Sequence, residues 1–508
     1  MRMNRTGEGL QSPTVRVSGA GRTEHGERVL STARAAADSV TVLRTGPTGI
    51  SEYDPLVLAT DAGRTVFFPA PETPKVRDLV AAMEDGELPT DGGAAVVEHD
   101  VETTTLPVPT DGPFAVGERR VLGPCGWVGP LDPTAYQFHS LDRDAGAIAD
   151  AGLVGRGRGD ATADEPVADA WRRAREADGD PVVVVNANDA DDRQRADQTL
   201  LAGSPMSVLD GVAAVAEYLD TTDAVIHLAE TDTELRERLR QAIAAAADEL
   251  PVVPVLVAGP DEYRAGEPTA ALEAVEGADR IEPRLQPPSP AEYGLYGRPT
   301  VIHTPRTFAH IHLALSDPEE TNRSGSGSAT RLLTVTGDVT APATIELGSD
   351  AHLSAVRNAV ELEGSFKMAC VGGVFGGVTR TLDIAPTVAG LTAAGLGTEG
   401  VVELLNDERC AVATAGDRAR FASEANSGRC VPGREGTVQL TELLRAVYRG
   451  SFDRGKIREL GRVMTQSSNC LIGAHAPRPV LTAMDEFESS FEAHADGRCP
   501  SGTCTDKL

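Results

Sequence analysis

Apolar and polar positions alternate along the chain in blocks that predict four structured segments and a short tail. Over residues 13–105, PTVRV, SVTVLRTG, PLVLAT and RTVFFPA read as short strands, the last two joined as a hairpin around Asp61–Ala62–Gly63. Between them, Val29, Leu30, Ala33 and Ala36 recur at helical spacing. A second helix is predicted over TPKVRDLVAAMEDG, capped by Thr73 and ended at Gly86. Pro107, Pro109 and Pro113 then mark a linker over 105–120.

Residues 118–315 alternate strand and helix. The run PVVVVNAND is continuously apolar, as a strand buried on both faces requires. DAVIHLAE and VVPVLVAGP are further strands, with VLDGVAAVAEYL and ETDTELRERLRQAIAAAADEL as helices. This order implies a parallel sheet with covered faces. SDPEETNRSGSGSATR reads as a flexible loop. Residues 330–395 begin with the strands LLTVTGDV and ATIEL and hold one helix near AHLSAVRNAV, a small β-rich unit. Residues 398–495 read as helical, and 496–508 as a loose tail. Strand alternation would put His310 and His312 on one face, a candidate metal pair lacking a third ligand.

Composition narrows the function classes. The chain has 508 residues, and Lys+Arg 47 against Asp+Glu 76 gives a net charge of −29, which argues against nucleic acid as a partner. All but four of the 47 basic residues are arginine; the lysines are Lys75, Lys367, Lys456 and Lys507. Dense carboxylates and scarce lysine fit a protein working in high salt; a GC-rich genome would also favour arginine. No apolar run is long enough to span a bilayer, and the N-terminus MRMNRTGEGLQSP has no apolar core of a secretory signal. Seven scattered cysteines, with no CxxC, point to a reducing cytoplasm.

Candidate chemistry begins at Gly155–Arg156–Gly157–Arg158–Gly159, where glycines would let backbone N–H groups approach a phosphate; a surface turn would look the same. The segments that follow change the picture. GLVGRGRG, VVVVNAND, YRAGEPTAALEAVEG, PPSPAEYGLYGRPTVI, SGRCVPGREGT and SSNCLIGAHAPRPVL occur in that order. The series resembles the FMN- and NADH-binding flavin subunit of respiratory complex I and the matching subunits of NAD-reducing hydrogenases and formate dehydrogenases. The resemblance covers about residues 120–504. It implies a multidomain α/β protein with four parts: a thioredoxin-like domain (13–105), a Rossmann-like FMN-type α/β domain (118–315), a small β-grasp, ubiquitin-like domain (330–395) and a C-terminal helical bundle of the iron–sulfur type (398–495). It also implies FMN, NAD(H) and a 4Fe-4S cluster as cofactors, and partner subunits of a redox complex, without membrane insertion. By the same resemblance, Gly155, Arg156, Gly157 and Gly159 hold phosphate, Asn186, Asn188 and Glu267 face flavin or NADH, and Cys430 and Cys470 ligate iron.

The chain departs from the family pattern at each redox site. In the N-terminal unit the four cluster cysteines fall on Ser18, about Arg22, Pro47 and Ser51. After the glycines, the family's GAGFPTG becomes RGDATAD, which removes an aromatic. Asn188 and Asp189 replace an Asp and a Glu, Pro268 replaces a Glu, and His303, Thr304 and Arg306 replace two asparagines and an acid. At the cluster motif only Cys430 remains of three cysteines, with Ser427 and Gly433 in place of the others; Cys470 matches the distant fourth. Cys499 and Cys504 stand apart from this set, open to a metal or a disulfide. Two readings follow. One is a structural or regulatory homologue whose redox sites have degenerated. The other is an active NADH:acceptor oxidoreductase that passes a hydride to FMN and electrons to a cluster.

Overall fold

The computed structural model describes residues 13–139, 146, 148, 152–157, 166–188, 191–317 and 330–504, so Arg158, Gly159, Asp189 and the serine-glycine loop 318–329 lie outside the described residues. Its first sheet has strands β1 (Thr14–Ser18), β2 (Thr41–Thr45), β3 (Leu56–Asp61), β4 (Arg64–Pro69) and β5 (Ala95–Glu98) in the order β2-β1-β3-β4-β5. The β3–β4 hairpin turns at Ala62 and Gly63, both at positive φ, the conformation a two-residue hairpin requires. Helices α1 (Glu24–Ala36) and α2 (Thr73–Glu84) bury Val29, Leu30, Ala33, Val76, Leu79 and Val80 against one face. Glu72, not Thr73, is the N-cap of α2, and neither side chain caps it. At the other end, the Glu84 carboxylate accepts three backbone N–H groups from residues 38–40. The opposite face, with Leu56, Leu58 and Phe67, packs on the third sheet.

The second sheet is wholly parallel: β6 (Val182–Asn186), β7 (Ala224–Ala229), β8 (Val255–Gly259) and β9 (Thr300–His303), in the order β8-β7-β6-β9. The valine run divides by parity. Val183 and Val185 enter the core beneath helices α3 (Val167–Glu176), α4 (Ala196–Gly203), α5 (Pro205–Leu219), α6 (Thr233–Ala246) and α8 (Pro305–Ser316). Val182 and Val184 enter a smaller core against α7 (Pro268–Val275). From β6 the chain builds outward to β7 and β8 and later returns to the other side as β9. The crevice beyond the carboxyl ends of β6 and β9 is therefore a topological switch point, where open α/β sheets take ligands.

The third sheet has β10 (Arg331–Gly337), β11 (Ala343–Leu347), β12 (Phe366–Val371), β13 (Gly377–Thr379) and β14 (Val401–Asn406), in the order β11-β10-β14-β12-β13. β14, which the sequence pattern assigns to the helical part, is its central strand: its apolar run lies too close to the following helix for a local pattern to separate them. The helix expected near AHLSAVRNAV is a short 3-10 segment, Leu353–Asn358. Helices α9 (Ala411–Ala425), α10 (Thr437–Tyr448), α11 (Arg454–Ser467), α12 (Pro477–Glu486) and α13 (Glu488–Ala495) follow around one apolar core.

Two segments read as loose are packed. In the proline-rich stretch, Leu106 and Phe114 are buried, and the buried Glu346 carboxylate accepts the N–H groups of Val121 and Leu122. The tail through Cys504 is tied back by Thr503, whose hydroxyl donates to the Glu408 carbonyl at 2.6 Å. No single helix among the described residues is long and apolar enough to cross a membrane; the one bent pair that passes by composition, α4 with α5, is buried in the α/β core.

Candidate functional site at the sheet switch point

The glycine loop reaches the switch point. The Arg156 N–H donates to Thr307 Oγ1 at 2.8 Å, and the Thr304 hydroxyl donates to the Arg156 carbonyl. Gly157 has φ +85, and a Cβ there would lie 2.8 Å from Thr304 Cγ2 and 2.9 Å from Arg306 Nη2. Glycine is therefore required both by conformation and by space. Gly155 and Arg156 are buried, and the Arg156 guanidinium turns onto the carbonyls of Val154, Gly155 and Thr330.

Arg306, at the position of a family acid, fills space beside this loop. It is 2% exposed and forms a two-bond pair with Asp197 of α4, Nε to Oδ1 and Nη2 to Oδ2, both 2.9 Å. Its Nη1 donates to the Glu399 carbonyl at 2.9 Å. One guanidinium thus joins α4, α8 and the approach to β14. A second charged chain, Asp191–Arg193–Glu403–Arg418, ties the crevice to β14 and α9. Neither arrangement was legible in sequence, because each joins residues far apart in the chain.

Asn186 and Asn188 stand at the end of β6. Asn186 Nδ2 donates to the Gly266 carbonyl at 3.1 Å and Asn188 Nδ2 to the Pro260 carbonyl at 3.0 Å. The Oδ1 atoms of both are buried and meet no partner among the described residues. The Glu267 carboxylate accepts from Thr269 Oγ1 at 2.6 Å and Ala270 N at 2.7 Å, capping α7. It also lines a small cavity of about 20 Å³ with Tyr263, Phe375, Ser427, Cys470 and His475. That pocket lies between the switch point and the cysteine pair.

The pair itself is closed. Cys430 Sγ and Cys470 Sγ are 3.5 Å apart, and each accepts a backbone N–H, from Gly433 and Gly473, at 3.3 Å. A Cβ at Gly433 would lie 2.9 Å from one sulfur and 3.0 Å from the other. Burial pushes the Cys470 thiol up to about 12.

The expected histidine pair is corrected. His310 and His312 lie in the helix α8, on different flanks. His310 sets its ring nitrogens against the Arg306 and Thr330 carbonyls at 2.7 and 3.0 Å. His312 and His139 each place Nδ1 on the buried Asp210 Oδ2, at 2.7 and 2.8 Å. In the first sheet, Ser18 is buried and donates its hydroxyl to the Gly46 carbonyl at 2.8 Å.

Two family models match: the Nuo51 FMN-binding domain over residues 148–313, and the NADH-ubiquinone oxidoreductase-F iron-sulfur binding region over residues 413–494. They fall in the order the motifs imply, one on the switch-point unit and one on the helical unit. Both models describe regions of flavoprotein subunits, and the chain is similar to the following subunits of redox enzymes. The F subunit of the NADH-quinone oxidoreductase of Streptomyces coelicolor is 28% identical over 70% of this chain and 83% of its own length. The HndC subunit of the NADP-reducing hydrogenase of Solidesulfovibrio fructosivorans is 27% identical over 70% of this chain and 76% of its own. The alpha subunit of the NAD-reducing hydrogenase HoxS of Cupriavidus necator is 24% identical over 87% of this chain and 75% of its own. A crystal structure of an NAD+-reducing [NiFe]-hydrogenase in the H2-reduced state shares the fold, with a TM-score of 0.65 and 22% identity, covering 95% of this chain and 84% of that one.

The matched domains imply FMN, NAD(H) and an iron–sulfur cluster. The residues fit these groups unequally. Two buried, unpartnered amide oxygens at the mouth of the sheet suit a ligand rich in N–H and O–H groups, as FMN is. The cysteine pair does not fit a four-iron cluster. Cys430 and Cys470 supply half the thiolates such a cluster takes, and Ser427 and Gly433 stand where the family pattern has the other two.

Proposed function

We propose that this chain is a homologue of those flavoproteins that keeps the architecture and partner surfaces of its family and no longer passes electrons to a cluster. In this reading it is a structural or regulatory component of a redox assembly, peripheral or cytoplasmic. The observation that carries the reading is that Cys430 and Cys470 stand together with Ser427 and Gly433 in place of two further thiolates. Arg306 and Asp197 support it, because an internal ion pair stands where the family pattern carries an acid. Partner subunits are inferred from the relatives, which are themselves named as subunits.

The two asparagine oxygens favour a second reading, in which FMN is retained. FMN would supply hydride acceptance from a nicotinamide. This chain's part would be to hold it, with Asn186 and Asn188 accepting its polar groups and the Gly155–Gly157 loop approaching its phosphate. The domain assignments as thioredoxin-like, flavin-type, β-grasp-like and helical-bundle units belong to the same proposal. They are supported by the three separate sheets and the terminal helices.

The test is an absorbance spectrum, an iron assay and NADH:ferricyanide activity on anaerobically purified protein. The acidic, lysine-poor composition supports work at high salt, so the protein is kept in molar KCl. The expected preparation is nearly colourless, without iron and inactive. Flavin absorbance near one per chain with no iron supports the second reading. Iron near four per chain refutes the cluster-free reading and, with flavin and NADH:ferricyanide activity, supports an active NADH:acceptor oxidoreductase.

A further inference from the structure

The strongest unassigned feature lies at the far end of the chain. Cys410 precedes α9, His494 sits in the last turn of α13, and Cys499 and Cys504 belong to the tail. The four ligand atoms, three sulfurs and one imidazole nitrogen, all fall within 4.8 Å of one another. Cys410 Sγ and His494 Nε2 are 3.4 Å apart. A tetrahedral zinc with ordinary Zn–S and Zn–N bonds sets S···N edges of about 3.6 Å and S···S edges of about 3.8 Å. The four atoms therefore stand close enough together to bind one such ion.

The surroundings prepare them as ligands. His494 Nδ1 lies 2.6 Å from the Ser490 carbonyl. That contact fixes the proton on Nδ1 and leaves the Nε2 lone pair directed at the sulfurs. The Tyr448 hydroxyl is 2.8 Å from Cys504 Sγ, placed to donate to a thiolate. Residues 501–503 are tied to the turn after β14. Lys367 Nζ holds Ser501 Oγ at 2.7 Å and the Arg409 carbonyl at 2.6 Å, one residue from Cys410.

We propose that Cys410, His494, Cys499 and Cys504 form a closed structural site for a thiophilic divalent cation, zinc by its donor set. Three thiolates and one imidazole select zinc over magnesium or calcium, which take oxygen. Four protein donors leave no open position, so the ion is a staple rather than a reaction centre. It would join the turn after β14 to the end of the chain, closing the helical unit on itself, and contribute to folding as structural zinc does.

The full-length protein, expressed in zinc-supplemented medium and freed of loose metal by gel filtration, is assayed by elemental mass spectrometry. About one zinc per chain is expected. Cys499→Ser and Cys504→Ser should each lose it, whereas Cys430→Ser, at the other cysteine pair, should keep it. Because a tail variant could disturb folding, cobalt exchange into the wild-type protein gives an independent reading: intense visible bands with thiolate-to-metal charge transfer report a tetrahedral sulfur-rich site. Folded wild-type protein with freely reactive thiols at these positions and no metal overturns the proposal. So does a Cys499–Cys504 disulfide found by non-reducing peptide mapping, or zinc that survives both tail substitutions.

Discussion

Asp197→Asn should destabilise the α/β unit by about 3 kcal/mol, even though asparagine nearly matches aspartate in shape. Arg306 is 2% exposed and Asp197 is 3% exposed, and their two bonds are each 2.9 Å. The substitution leaves a buried guanidinium facing one amide oxygen and an amide N–H₂ where it faced a carboxylate, while the Glu399 carbonyl still accepts from Nη1. Removing one partner of a buried pair typically costs about 3–5 kcal/mol, because the remaining charge stays desolvated. The retained acceptors put this case at the lower end. Arg306→Met together with Asp197→Leu removes both charges and should return to within about 1 kcal/mol of wild type. The assay is urea unfolding followed by fluorescence of Trp171, whose Nε1–H donates to His303 Nε2 at 3.0 Å beside the same crevice. Trp127→Phe removes the second of the chain's 2 tryptophans from the signal. A buried pair is little screened, so the loss should persist in molar KCl. A cost under about 1 kcal/mol for Asp197→Asn, or a double variant no better than the worse single one, would refute the structural role given to Arg306.

Two further outcomes test other parts of the structure. Burial holds His227 down to about 4 and, with the charge of Arg478 nearby, His475 down to about 3. Above the ordinary histidine value near 6.5 both states are neutral and nothing is lost. As pH falls from there toward about 4, the unfolded chain binds protons that the native state refuses. Stability should therefore drop by about 1.4 kcal/mol per pH unit for each ring, and His227→Leu should flatten that slope by one proton in urea titrations between about pH 7 and about pH 4.5. Ser427→Cys combined with Gly433→Cys restores the four thiolates of the family pattern. Anaerobic reconstitution should then load about four iron atoms per chain into the double variant and none into wild type. Equal iron in both would show that the two missing thiolates at 427 and 433 are not what keeps a cluster out.

Features that repeat over a few residues were written in the local pattern. The unbroken valines of 182–185 required a strand covered on both faces, and the structure sends alternate valines into two cores. The Ala62–Gly63 turn between two apolar runs required a hairpin. The order of the motifs indicated the family, and the two matched regions follow it. Missing thiols at 427 and 433 were legible as identities. What the surviving residues do emerged only from the folded chain, since their roles depend on partners distant in sequence. Glu267 caps a helix, and Arg306 reaches across 109 positions to Asp197. Cys410 meets His494 across 84 positions, close to two tail cysteines that local spacing left unassigned. Backbone periodicity is set by neighbours along the chain, so it can be read locally. Charge pairing and metal-ligand geometry are set by which surfaces the packed core brings together.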